Sequence, residues 1–143
     1  QSALPHRLMP APHVTTQKLR FCDTDSLGHV NNAIYSVMLE AGRAEMAEMA
    51  GLLVPHARFG VVIARLELDF LREMTWPGDI RIESAFHALD TRRMQMRQRL
   101  YQGETLVARA SSTLAVIDTE TRRAVALTEE WLLALGQWLV PAF

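Results

Sequence analysis

Between Arg20 and Gly51 the chain reads RFCDTDSLGHVNNAIYSVMLEAGRAEMAEMAG, and the part from Asp23 to Asn32 gathers two carboxylates, an imidazole, two amides and Gly28. Such a set fits attack on an electrophilic carbon. A carboxylate acts as nucleophile or general base, and main-chain N–H groups at a helix start hold the oxygen that gains charge. Asp25 lies just upstream of the expected helix and leads the candidates. On local pattern alone, Asp23 and Asp25 read more readily as turn formers and caps. His29 is either a base or a hydrogen-bonding group that holds the turn.

Metal chemistry fits poorly. DTDSLG opens like a calcium loop, but Leu27 and Ile34 fall where oxygen ligands are required. Asp23, Asp25 and His29 lack the tight His or Cys spacing of zinc sites. No metal or other cofactor is expected. Cys22 stands beside carboxylates, which disfavour a thiolate.

These residues need a helix behind them. Ile34, Val37, Met38, Ala41 and Met49 recur at a helical period, with no proline between Asn31 and Gly51. Asn31 or Asn32 caps the first turn and Gly51 supplies the stop. Unpaired N–H groups then point back toward 25–29. Within the helix, Glu40 and Arg43 are spaced to pair with each other.

Upstream, residues 1–13 carry Pro5, Pro10 and Pro12 and are expected to form an extended arm, with a first strand over 14–22. Downstream, 62–71, 80–89, 93–101 and 106–117 read as strands. Alternation puts Val62, Ala64, Leu66, Leu68 and Phe70 on one face of the first, and Ile80, Ile82, Ser84, Phe86 and Ala88 inward in the second. Met94, Met96 and Leu100 share a face in the third. Residues 118–123 read as a polar turn, and Thr128 opens a final helix over 129–139. Consecutive alternating strands with one long apolar helix predict an α+β fold, an antiparallel sheet wrapped around that helix, in one domain over 14–143.

Bulk properties exclude several classes. The 143 residues are 49% hydrophobic and 22% charged, with 15 basic and 16 acidic side chains and a net charge of -1. No overall footprint for nucleic acid follows. No apolar run approaches the ~18 residues of a membrane span, and the start at Gln1 lacks a secretory pattern. A cytoplasmic protein without nucleic-acid or membrane partners is expected. Arg92 and Arg93, with Arg97 and Arg99 near, either grip phosphates such as those of coenzyme A or keep a strand face soluble. Met38, Met94 and Met96 either line an adaptable acyl pocket or fill the core.

The stretch DTDSLGHVNNAIYSVMLEAGR resembles the D-x-D-x-x-G-H-V-N-N-x-x-Y signature of hotdog-fold acyl-CoA thioesterases of the 4-hydroxybenzoyl-CoA type, and REMTWPGD and the closing helix fit as well. The resemblance implies a curved antiparallel sheet wrapped around a long central helix, and a homodimer or homotetramer with active sites at subunit interfaces. It implies that Asp25 is the nucleophile or base and that N–H groups at Asn31 and Asn32 polarise the thioester carbonyl, with His29 beside them. Acyl-CoA is the implied substrate, and Gly28, Arg92, Arg93 and Met38 are the candidates for binding it. Plant-type acyl-carrier-protein thioesterases carry asparagine two residues before the histidine; Leu27 stands there, which favours Asp25 over His29. Partial burial beside an apolar pocket is expected to raise the Asp25 pKa. The alternatives are a hotdog-fold enoyl-CoA hydratase or dehydratase with His29 as base, and a non-catalytic acyl-thioester binding module.

Overall fold

The computed structural model describes residues 9–143. In chain order its elements are β1 (His13–Lys18), a 3-10 turn (Phe21–Asp23), α1 (Asn32–Met49), β2 (Phe59–Phe70), β3 (Asp79–Leu89), β4 (Met94–Gln102), β5 (Thr105–Asp118), β6 (Ala124–Val125) and α2 (Glu129–Gly136). The sheet runs β1-β3-β4-β5-β2 with every pair antiparallel, and β6 adds to β5. This is the expected α+β arrangement of a curved sheet around one long helix. Of the expected N-terminal arm, residues 1–8 lie outside the described residues; Ala11 N–H bonds to Gln137 O at 3.2 Å, and His13 already belongs to β1.

Both ends of α1 carry the signals expected of them. The Asn31 side chain accepts from Ala33 N–H at 2.9 Å, which makes Asn31 the cap and Asn32 the first helical residue. Gly51 sits at φ +76°, where a side chain would be strained. The buried stripe is rotated from the expected one. Tyr35, Met38, Leu39, Gly42 and Met46 face the sheet, whereas Val37 and Met49 are exposed. Hydropathy alone misjudged the face, because a glycine and a tyrosine belong to it.

Two bulges explain the other differences. The β2–β5 register shifts between Ile63 and Arg65, so Val61 and Phe59, rather than Val62, share the core side with Leu66 and Leu68. A shift between Phe86 and Ala88 likewise brings Leu89 to the core instead of Ala88. β1 stops at Lys18 because the chain turns at Phe21–Asp23, and α2 ends at Gly136. The two-residue β6 follows directly on the polar turn over 118–123.

One half of the core packs Tyr35, Met38 and Leu39 on Ile80, Ile82 and Leu100. The other joins Met46 to Phe86, Met94, Met96 and Leu114 under Leu135 and Trp138. Gly42 sits where α1 comes closest to the sheet: a Cβ there would lie 3.0 Å from Ile82 Cγ2, 3.1 Å from Ser84 Oγ and 3.2 Å from Gln98 Nε2. Gly42→Val is therefore expected to destabilise the fold by about 1–3 kcal/mol, measured by urea denaturation.

Candidate active site

The turn before α1 is built by carboxylates used in opposite ways. Asp23 is buried: its Oδ1 accepts from Arg20 Nη2 at 2.8 Å, its Oδ2 from Arg20 N–H at 2.8 Å, and its carbonyl from Asn31 N–H at 2.9 Å. The Arg20 hydrogen bonds, helped by the guanidinium charge, hold its carboxyl below the usual aspartate range against the opposing effect of burial. Asp23 is thus the structural member of the pair.

Asp25 is exposed. Its Oδ1 accepts from Leu27 N–H at 2.8 Å and His29 N–H at 3.1 Å, while Oδ2 makes no hydrogen bond among the described residues. Asp25 N–H donates to His29 O at 2.8 Å, and Gly28 at φ +79° lets the chain reverse between them. One oxygen is therefore locked and the other presented to whatever docks there. The partial burial expected for Asp25 is not provided by one chain.

His29 is half-buried, with Nε2 3.3 Å from Glu73 Oε2. The strand-like segment carrying Glu73 is pinned to the helix start. Val30 N–H donates to Met74 O at 2.9 Å, and the Tyr35 hydroxyl donates to Arg72 O and accepts from Met74 N–H, both at 3.0 Å. Burial is the leading cause that pushes the Tyr35 hydroxyl above its ordinary pKa, so it stays protonated and keeps both bonds. Tyr35 is the last residue of the motif, and its positioning role was not drawn from the sequence.

The helix start corrects one expectation. Asn31 N–H is committed to Asp23 O, and Ala33 N–H to the Asn31 side chain. Asn32 N–H is the first-turn donor left without a partner among the described residues.

An apolar cavity of about 360 Å3 lies along the other half of α1, walled by Met46, Met94, Met96, Phe86 and the start of β2. Met38 is not among its walls: it is buried in the core beneath the helix, which corrects its expected place in the substrate pocket. Glu40 and Arg43 both line the cavity but form no ion pair. Arg43 Nη1 donates instead to Gln98 Oε1 at 3.2 Å, because the sheet-side amide is nearer than the solvent-facing carboxylate. Burial lowers the Arg43 pKa, with Glu40 opposing. Arg92 and Arg93 are exposed on the β3–β4 turn, where Asp90 Oδ1 accepts both their N–H groups at 2.9 and 2.8 Å. That turn is at the Leu89 end of β3, whereas the Asp25 turn is near the Asp79 end, so roughly 30 Å separates them within one chain. Arg97 and Arg99 are occupied with Phe143.

The family model of the thioesterase-like superfamily matches residues 19–138, which takes in the Asp25 turn, α1 and the sheet from β2 to β6. The chain belongs to the thioesterase-like superfamily. Within it, the chain is 26% identical over 116 residues to the uncharacterized protein YsmA of Bacillus subtilis, covering 78% of this chain and 77% of that one. A structure from Bacillus stearothermophilus described as a predicted thioesterase superposes with a TM-score of 0.82 at 23% identity, over 91% of this chain and 98% of the other. The hypothetical protein SAV2348 from Staphylococcus aureus, solved in complex with CoA, gives 0.81 at 15% identity over 92% and 85%. These likenesses establish the hotdog fold.

In this thioesterase-like chain, then, Asp25, Gly28 and His29 share the turn that leads to Asn32 at the helix start, Asn31 acts as the cap, and the apolar cavity and the arginine turn lie away from them. Among the described residues no helix is long and apolar enough to cross a membrane. For Asp23 the depressed carboxyl contributes stability fully above the unfolded value of ~3.9, lost as pH falls through the lower folded value. Asp23→Asn is expected to lower the thermal midpoint at about pH 7, with the deficit against the unmodified protein shrinking below about pH 4 as its own carboxylate is protonated; melts across pH test this.

Proposed function

We propose that the protein is an acyl-CoA thioesterase that hydrolyses an acyl-CoA to the free acid and CoA. The observation that carries this reading is Asp25: one carboxylate oxygen locked by two amides, the other without a partner among the described residues, on the turn that leads into the helix whose first N–H, that of Asn32, is free. The thioester carbonyl oxygen accepts from Asn32 N–H, strengthened by the positive end of the α1 dipole. Asp25 Oδ2 then either attacks the carbonyl carbon, expelling the thiolate and leaving an anhydride that water cleaves, or takes the proton of a water that attacks directly, after which the C–S bond breaks and the proton passes to the departing thiolate. Both routes return Asp25 to its starting form, and neither calls for a cofactor.

The acyl cavity and Asp25 come together if two copies pair through β2. That strand is the twelve-residue outer edge of the sheet, with Val62 36% and Ile63 44% exposed, a profile that invites another strand. Its Phe70 end packs on Tyr35 at the start of α1, ring centroids 5.1 Å apart, while its Phe59–Ile63 end walls the cavity. Antiparallel self-pairing about a two-fold axis sets the cavity end of one strand beside the Asp25 end of the other. The same operation brings the Arg92–Arg93 turn of one copy to the catalytic end of its neighbour, where the phosphates of CoA would extend. Gly28 shapes the turn against which the thioester lies. The CoA complex of the structurally similar Staphylococcus aureus protein supports a CoA ligand on this fold. The 4-hydroxybenzoyl-CoA type of the family is the best match in mechanism, through the aspartate of its signature. A homodimer is the smallest assembly that completes this site.

The His29–Glu73 pair favours a second reading, an enoyl-CoA hydratase with His29 as base. Turnover of an enoyl-CoA without release of thiol would select it.

Asp25→Asn is expected to cut kcat for acyl-CoA hydrolysis by about 10^2–10^4-fold with the melting temperature little changed, read by continuous thiol detection; full activity in a folded Asp25→Ala protein would remove the assignment. Val62→Lys places a charge on the free edge of β2. It is expected to shift the protein toward monomer in sedimentation and to lower activity in parallel, whereas an active monomer would show the site complete in one chain.

A further inference from the structure

We propose that Arg43 makes the cavity selective for an acyl group that carries a carboxylate at the end remote from the thioester. The inference rests on the thioesterase reading for where the carbonyl lies, and on the cavity itself for the rest.

The walls are otherwise suited to hydrocarbon: Met46, Leu52, Phe86, Met94, Met96 and Leu114 are all buried. Among the described residues, Glu40 and Arg43 are the only charged ones that line it. They are not equivalent. Glu40 is exposed, so water solvates and screens its charge, whereas Arg43 is half-buried and has lost part of its hydration. No carboxylate pairs with Arg43 among the described residues. Its one hydrogen bond goes to Gln98 Oε1, a neutral acceptor. Gln98 cannot turn away to serve anything else, because its Nε2 donates to Leu39 O at 2.9 Å and to Ser84 Oγ at 3.0 Å. A guanidinium has five N–H donors in a planar fork, so most of them remain unspent.

A hydrocarbon chain filling the cavity would strip water from this cation and return nothing. A terminal carboxylate accepts two N–H bonds side by side and replaces the lost hydration with a counter-charge. Size agrees: about 360 Å3, at ~30 Å3 per water, holds on the order of ten non-hydrogen atoms. Arg43 stands eleven residues beyond Asn32 on α1, roughly 16 Å along the axis, so a carboxylate held there lies well away from the start of its own helix. In the two-fold assembly it faces a chain whose thioester lies at the neighbour's Asp25.

The test compares suberoyl-CoA with octanoyl-CoA, matched in length and different only at the far end. Thiol release is measured for the unmodified protein, Arg43→Met and Arg43→Lys, alongside titration calorimetry with suberate and the neutral octanamide. The expected result is a kcat/KM about 10- to 100-fold higher for suberoyl-CoA, mostly through KM, abolished or reversed in Arg43→Met and partly kept in Arg43→Lys. Suberate is expected to bind more tightly than octanamide only where residue 43 is a cation. Arg43→Lys keeps the question open should Arg43→Met fold poorly. Equal turnover of the two thioesters with equal binding of suberate and octanamide, or a preference that survives in Arg43→Met, would overturn the inference. If neither thioester is cleaved while suberate still binds in an Arg43-dependent manner, the thioesterase reading falls and the carboxylate subsite stands.

Discussion

The helix lies on the sheet through one buried amide. Gln98, in the middle of β4, donates to the Leu39 carbonyl of α1 and to Ser84 of β3, and accepts from Arg43. A buried amide left unpaired would cost more than the contacts around it return, so the three partners must be present together. Their distances require the helix axis to come close, and Gly42 is the residue that allows it. From this contact the rest is set: the start of α1 is delivered to one end of the sheet, and its second half leaves an apolar gap against β2.

At the helix start the two aspartates of D-x-D are separated by their surroundings. Asp23 is turned inward and tied to Arg20, and its carbonyl takes the Asn31 N–H. That bond places the cap, which in turn frees Asn32 N–H. Asp25 is turned outward, yet its orientation is fixed by two amides of its own turn. A carboxylate that is both exposed and immobile suits a role toward a docked ligand better than one in the core, because no reorganisation is needed when the ligand arrives. Tyr35 extends the arrangement by holding the 72–74 segment, and with it Glu73, beside His29.

The remaining parts of the proposed site are spread along the molecule. Asp25 and the cavity occupy opposite halves of one helix, and the arginine turn is at the far end of β3. Within a single chain they stay apart, since they lie at different ends of α1 and of β3. The proposed two-fold axis across the exposed edge of β2 would bring them together without moving any element. In that light, the apolar residues on β2 and the division of the site are two consequences of one geometry.

Much was determined by residue order alone. The α1 boundaries follow from Asn31 and Gly51, the alternation of β3 and β4 follows from side-chain period, and the signature around Asp25 carries the family. These are local properties, set by backbone preferences and hydrophobic spacing within a few residues. Tertiary structure decided the rest. Bulges at 63–65 and 86–88 reversed the faces of Val61 and Leu89, because an extra residue flips the period and leaves no mark in hydropathy. Arg43 turned from Glu40, its neighbour on the helix, to Gln98, 55 residues away, because only packing brings α1 onto β4. Met38 went to the core while Met94 and Met96 went to the cavity wall. All three are methionines on an apolar face, and which of them meets empty space depends on where another element stops.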